Sequence, residues 1–260
     1  MTARDELLIA FDREMRENPP LFPGVRAERV GPVVRVVGEE NMVIYSDLNE
    51  ANASRVVREQ AEFFRRSAAR LEWKYFGHDR PPGLEAILAS EGFEPEEPET
   101  LVVFDLRTGL PGAPAGPGVE VRRVVDAAGV DDAVVAMDAA FGREPGTEPR
   151  PYSKLLDDPT QALFVAYADR APVASGRLEL PADRSFAGLY GGGTRPEYRR
   201  RGIYGALVAG RAALARDRGY RYLTVDARET SRPILERLGF VPLTTTRPWV
   251  LSPSSGPRAP

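Results

Sequence analysis

The chain has 260 residues, enough for one large or two small domains. Hydrophobic residues make up 42% and charged residues 28%, the balance of an ordinary globular protein, and no run of about 18 apolar residues is present to span a membrane. A net charge of −3 gives no argument for nucleic acid, the absence of cysteine excludes disulfides, thiol chemistry and iron–sulfur clusters, and a single histidine argues against Cys/His zinc sites and a Ser-His-Asp triad; no metal is expected.

The opening MTARDELLIAFDREM alternates acids with apolar residues. A signal peptide would show a continuous apolar stretch, so a cytoplasmic protein is expected. Next in the chain, ANASRVVREQAEFFRRSAARL reads as an arginine-rich amphipathic helix. LEWKYFGHD is a strand with Trp73 pointing to a core, and His78 and Asp79 fall at its surface end. GLEAILASEGF is a helix running into Gly92-Phe93, and TLVVFDL is a strand. RTGLPGAPAGPG (Arg107–Gly118) has no apolar periodicity and reads as a linker.

Beyond it, VEVRRV alternates as a strand. Asp126 is placed to cap a helix reaching Phe141, with Val130, Val134 and Met137 at helical spacing. ALFVAYA and VASGRLEL form a hairpin signature, and FAGLYGGGT is a further strand weakened by glycines. Ile203, Ala206, Leu207, Gly210 and Leu214 mark one face of a helix that Gly219 closes. YRYLTVDA is a strand, Ser231–Leu238 a short helix stopped by Gly239, and RPWVL, with Trp249, a last core strand. SPSSGPRAP reads as a disordered tail. The fold class is α/β (α+β): mixed, largely antiparallel sheets flanked by helices.

The two halves echo one another. Arginine-rich helix, strand, short helix, Gly-Phe and strand occur in both, which reads as a duplicated fold. The expected division is 1–108, a linker at 109–117, a second domain at 118–251 and a tail at 252–260. The halves differ in charge: residues 1–108 have 21 acids against 14 bases (−7), and residues 109–260 have 17 against 21 (+4).

One stretch has no counterpart in the first half: GGGTRPEYRRRGIYGALV, from Gly191. Three glycines leave a strand end bare, and Gly202 and Gly205 do the same at a helix start. Orphan N–H groups and the helix dipole make such a start an anion site, and Arg199, Arg200 and Arg201 add charge-assisted bonds to phosphate. A P-loop is excluded because no Gly-Lys pair exists, and a Rossmann fingerprint because Pro196 stands where its third glycine belongs.

Arg199-Arg200-Arg201-Gly202-Ile203, the preceding TRPEYR and the downstream LTVDARETSRPILERLGF resemble the pyrophosphate loop and following elements of the GNAT superfamily of N-acetyltransferases. The resemblance covers about 118–251, and the first half resembles a degenerate copy without the loop. It implies acetyl-CoA or another acyl-CoA, its pyrophosphate on the backbone of Arg200, Arg201, Gly202, Ile203, Tyr204 and Gly205, and its pantetheine along Gly193, Thr194 and Arg195. Two departures stand out. Tyr204 replaces the loop's second small residue. Leu235 occupies the place where the family often has a tyrosine that protonates the departing thiolate.

Three residues are candidates for the missing roles. Ser231, four residues before Leu235, reads as thiolate support or as a helix cap. Tyr190 reads as a group touching the acyl carbonyl or as a core-edge tyrosine, and Asp226 as a proton acceptor through water or a loop cap. Glu179 reads as a holder of a cationic substrate or, more simply, as a solvated strand end. The function implied is acetyl transfer to a primary amine, small molecule or peptide, by direct attack in a ternary complex. The alternative is a non-catalytic CoA-binding or interaction module. The N-terminal half is expected to share in the acceptor pocket, in a monomer with pseudo-dimeric domains or in a homodimer.

Overall fold

The structure, a computed structural model, describes residues 2–38, 40–112, 116–145 and 152–253. The expected tail therefore falls, apart from residues 252 and 253, outside the described residues, as do residues 113–115 of the expected linker. The chain forms two compact units. One comprises residues up to 101 with 226–229 and the chain from 243 on; the other comprises 102–225 with 230–242.

The first unit opens with helix α1 (Ala3–Phe11). Thr2 and Asp5 form a capping box: the Thr2 hydroxyl accepts from the Asp5 N–H and the Asp5 carboxylate from the Thr2 N–H. A π-helical turn, Asp12–Glu17, follows. Then come β1 (Val25–Val30), β2 (Val33–Gly38), β3 (Met42–Ser46), α2 (Ala53–Arg66), β4 (Leu71–Phe76), α3 (Leu84–Ser90), the two-residue β5 (Glu94–Pro95) and β6 (Glu99–Asp105). Val56, Val57, Gln60, Ala61 and Phe64, at helical spacing, turn one face of α2 inward onto Trp73, Trp249 and Leu71. β3 and β4 are parallel but pair only through Met42–Glu72 and Val43–Trp73.

The second unit contains β7 (Val119–Arg123), α4 (Ala127–Phe141), β8 (Gln161–Ala168), β9 (Ala171–Glu179), β10 (Phe186–Thr194), α5 (Ile203–Asp217), β11 (Tyr222–Ala227) and α6 (Arg232–Arg237). The Asp126 side chain accepts from the Gly129 N–H and caps α4 as its sequence position suggests. Asp169 and Arg170, both at positive φ, form the tight turn between β8 and β9. Strands β7, β8, β9 and β10 run antiparallel in turn, and β10 is parallel to β11. The class is the expected one: mixed α/β with a largely antiparallel sheet.

The units depart from the expected boundaries in an instructive way. β12 (Val241–Leu251) ends the chain, yet its residues from Leu243 on belong to the first unit, where they pair antiparallel with β4. β6 follows β4 in the first half of the chain, yet Val102–Asp105 belong to the second unit, where β6 lies beside β11. Each unit thus takes a strand from the half expected to build the other. The linker reading also fails in part. Gly112 lies against α5, where an added Cβ would come within 2.5 Å of the Gly205 carbonyl oxygen.

His78, expected at the surface, lies instead in a half-buried network. Arg16, 1% exposed, donates to Asp79 at 2.6 Å, to Asp12 at 2.8 Å and to the Ile44 carbonyl at 3.1 Å. Its guanidinium lies 3.8 Å from the centre of the Phe76 ring. His78 meets Asp12 at 2.8 Å and Thr244 at 3.2 Å. Burial pushes the Asp12 carboxyl up, but its bond to His78 and the Arg16 charge outweigh that and hold it below the ordinary range.

Two outcomes follow. A fragment of residues 118–260 loses the β6 neighbour of β11 and the β4 partner of β12, so it aggregates or lacks a cooperative melt, whereas the full chain melts cooperatively. A soluble, cooperatively folding fragment would show that neither strand matters. Because the native Asp12 pKa is depressed, its stabilisation is present above the unfolded carboxylate pKa and is lost as pH falls through the native one. Asp12→Asn therefore costs about 1–2 kcal/mol at pH 7, and urea titrations should show the difference closing toward pH 3.

Candidate functional site

The site is built where β10 leaves β11. The two strands pair through Phe186–Tyr222, Ala187–Leu223 and Gly188–Thr224, and the pairing ends there although β10 continues to Thr194. On its other side β10 slips register against β9 between Tyr190 and Gly193. Such a bulge bends a strand and increases its twist. The stretch from Leu189 onward thus has no β11 partner on that edge, and unpaired backbone groups need partners of some kind.

The glycines at the bend were expected to bare the strand to a ligand. Gly191 stays exposed, Gly192 is half-buried and Gly193 is buried against protein. Gly191 adopts φ +56° beside Met137 and Tyr152. A Cβ at Gly192 would lie 3.3 Å from both Tyr204 and Arg211, and one at Gly193 would lie 2.8 Å from Ala140 and 3.1 Å from the Phe141 ring. Tyr190 is 37% exposed. Its ring lies back over Gly188, where a Cβ would meet it at 2.5 Å, and the Arg177 guanidinium sits 5.3 Å from the ring centre. This sets the tyrosine beside the last residue paired with β11.

The loop to α5 explains the three arginines separately. Arg199 donates through Nε to the Thr194 carbonyl at 3.0 Å and through Nη2 to the Ala140 carbonyl at 3.0 Å. Ala140 ends helix α4, where a cation is favoured by the dipole, so Arg199 is a brace between strand end and helix end. Arg200 adopts φ +62°, is exposed and makes no ion pair among the described residues. Arg201 is exposed with its guanidinium 5.0 Å from the Tyr198 ring centre. Arg195 donates to Glu197 at 2.7 Å and to the Pro172 carbonyl at 3.4 Å.

Gly202, at φ +76°, is the N-cap of α5 and supplies no side-chain bond. The first-turn N–H groups of Ile203, Tyr204 and Gly205 are therefore uncapped and positively polarised. Nothing lies within 4 Å of a Cβ at Gly202, so the approach is open. Ile203 anchors the turn in the core, and burial raises the Tyr204 hydroxyl pKa. On the strand end before this loop, Thr194 is 7% exposed and its hydroxyl has no hydrogen-bond partner among the described residues. An orphan hydroxyl, uncapped N–H groups and two cations without carboxylate partners among the described residues fit a phosphate-bearing ligand.

The other sequence candidates fall differently. Ser231 occupies the N-cap of α6, but with near-helical φ and ψ its hydroxyl makes no capping bond; its carbonyl accepts from Ile234 and Leu235 at 3.0 Å each. Leu235 is fully buried. Asp226 groups with the first unit, where Lys74 meets it at 3.1 Å and the Thr246 hydroxyl donates to it at 3.1 Å. Burial acts to lower the Lys74 pKa, but Asp226, Glu99 and Glu72 around it outweigh that and raise it. Glu179 is not a solvated strand end: Arg177 donates to it at 2.8 Å, and only 16% of its side chain is exposed. Arg211, fully buried on α5, was passed over in the sequence. Its signal was a charged residue four after Leu207, within the apolar stripe of the helix.

Residues 132–240 match the model of the acetyltransferase (GNAT) family. Solved structures share the fold over nearly the whole chain. A GCN5-related N-acetyltransferase from Kribbella flavida has a TM-score of 0.67 at 18% identity, covering 98% of this chain and 95% of its own. One from Sphaerobacter thermophilus has 0.62 at 18% identity, covering 97% and 93%. A tandem GNAT protein from the clavulanic acid biosynthesis pathway has 0.57 at 15% identity, covering 98% and 95%. At these identities the likeness is one of fold. No curated protein matches the sequence.

The two kinds of arginine separate by experiment. Arg199→Met strands two carbonyls and lowers stability by about 1–2 kcal/mol. Arg200→Met stays within about 0.5 kcal/mol of the parent. Urea melts of both variants test this, and equal losses would remove the distinction between brace and ligand contact.

Proposed function

We propose that this protein transfers an acetyl group from acetyl-CoA to a primary amine by direct attack in a ternary complex. The family match and the structural likenesses support acyl transfer in general. The observation that carries the finer reading is the junction of an unpaired strand edge at 189–194 with an uncapped helix start flanked by Arg200 and Arg201. The first-turn N–H groups and these arginines would hold the pyrophosphate. The β10 edge at Gly193, Thr194 and Arg195 would take the pantetheine as an added strand, with the Thr194 hydroxyl as a further donor. The bound thioester supplies an activated acyl group.

The chain's own part is orientation and polarisation. Holding the amine against the acyl carbon in one geometry is worth up to roughly 7–11 kcal/mol. The Tyr190 hydroxyl donates a hydrogen bond to the reacting thioester, and backbone N–H groups of the bulge polarise its carbonyl. Asp226 is a weak candidate for the base, since Lys74 and the Thr246 hydroxyl already engage its carboxylate. The amine's proton passes to solvent. Ser231 retains a supporting role near the sulfur. The acceptor is a small-molecule or peptide amine. One observation favours a second reading, a CoA-binding module without turnover: fully buried Leu235 leaves no acid at the family's usual place.

Calorimetry with CoA and thiol release over a panel of amines test both readings. Arg200→Glu is expected to weaken CoA binding at least about tenfold, roughly 1.4 kcal/mol, and Gly202→Asp to abolish it. Tyr190→Phe is expected to lower turnover at least about tenfold with little change in CoA affinity. Undiminished affinity in the folded Arg200→Glu and Gly202→Asp variants would sink the site. Tight binding with no thiol released against any amine would leave the binding module.

A further inference from the structure

Arg211 is 1% exposed, and its bonds lead only to backbone: Nε donates to the Leu207 carbonyl at 3.2 Å and Nη1 to the Arg177 carbonyl at 3.1 Å. Among the described residues no carboxylate forms an ion pair with it. The charges on neighbouring elements are already matched: Arg177 with Glu179 at 2.8 Å on β9, and Asp138 on α4 with Arg143 at 3.4 Å. Burial lowers the Arg211 pKa to about 10, and Tyr204 is the one titratable group that offsets this. It remains a cation at neutral pH. A buried charge without a counterion is costly, and two carbonyls compensate it only in part.

Its place is specific. A Cβ at Gly176 on β9 would lie 2.7 Å from Nη1, and one at Gly192 on β10 would lie 3.3 Å from Nη2. The guanidinium thus lies directly beneath the bulge of β10, on the strand whose edge faces no partner.

We propose that Arg211 is a positioning residue whose uncompensated charge, acting through the β10 backbone, stabilises the negative charge that develops on the acyl donor and so takes over part of the work of the acid missing at Leu235. This rests on the acyl-CoA reading above. In the step, the amine nitrogen bonds to the acyl carbon, the carbon–sulfur bond breaks, its electron pair leaves on sulfur, and the amine's proton goes to solvent. A cation under the strand favours the thiolate without giving it a proton.

The test is the thiol of CoA itself, titrated by its ultraviolet thiolate absorbance free and bound to the full-length protein. Bound to the parent protein, it is expected to titrate about one pH unit below free CoA. R211M and R211Q abolish that lowering and reduce kcat at least about tenfold, with KM for the acyl donor changed less than about threefold; R211K retains part of the lowering. Circular dichroism reports whether each variant folds. A parent-bound thiol that titrates like free CoA overturns the proposal even if no variant folds, and so does a folded R211M or R211Q that keeps the lowered value. A parent protein that fails to bind CoA at all is a separate result, and it overturns the acyl-CoA reading together with this one.

Discussion

A parallel strand pair that lasts three residues is the constraint from which the rest of the C-terminal unit follows. β10 cannot continue beside β11 past Gly188 because it bulges against β9 between Tyr190 and Gly193. The bend leaves a row of backbone donors and acceptors on one edge, and burying such groups without partners is unfavourable. Protein packs tightly on Gly192 and Gly193, and a group lying in the plane of the sheet would satisfy the edge. An extended, amide-bearing ligand of the kind proposed above would suit that edge.

The bend is held in place by contacts that each depend on a missing side chain. Gly193 allows β10 to touch Ala140 and Phe141, Gly192 makes room for Tyr204 and Arg211, and Gly188 lets the Tyr190 ring lie back along its own strand. Arg199 then fastens the strand end to the end of α4. The same loop therefore contains a structural arginine and two cations without carboxylate partners one residue apart, and this answers why cations crowd a helix start that should repel them. The first is directed to another helix's C-terminus. The other two, beside uncapped N–H groups, gain a counter-charge only from an anion.

Much of this was legible in the sequence, and the illegible parts share a cause. The hairpin of β8 and β9, the Asp126 cap, the start of α5 and the core placement of Trp73 and Trp249 all follow from local periodicity or local hydrogen bonding. The hairpin of β1 and β2 escaped because β1 has no buried residue, while β2 buries Arg35, stacked 3.6 Å from the centre of the Phe63 ring and paired with Glu28 at 2.7 Å. Neither strand shows an apolar/polar alternation. The exchange of β6 and β12 was invisible because periodicity names a strand but not its neighbour. A glycine, likewise, announces that a side chain is forbidden without saying whether protein or ligand takes the space. Ser231 looked like a cap by its position, and only its backbone angles show that it is not one.

The same problem arises in the N-terminal unit, and its different solution clarifies both. There β3 and β4 are also parallel and part after two pairs. The carbonyl of Ile44, next on β3, accepts from Arg16 Nε, so this unit's own side chain fills the edge. Arg16 brings its counter-charges with it, Asp12 at 2.8 Å and Asp79 at 2.6 Å, and its guanidinium rests on Phe76. The cation of the N-terminal unit is thereby supplied with carboxylates from its own unit. In the C-terminal unit Arg211 lies against Gly192 of β10, and among the described residues no carboxylate forms an ion pair with it. A fold that needed the cation only for packing would have neutralised it, as the other unit does. Keeping the charge unpaired is unfavourable in the free protein, and an anionic ligand or a transition state that gathers negative charge is what recovers that free energy.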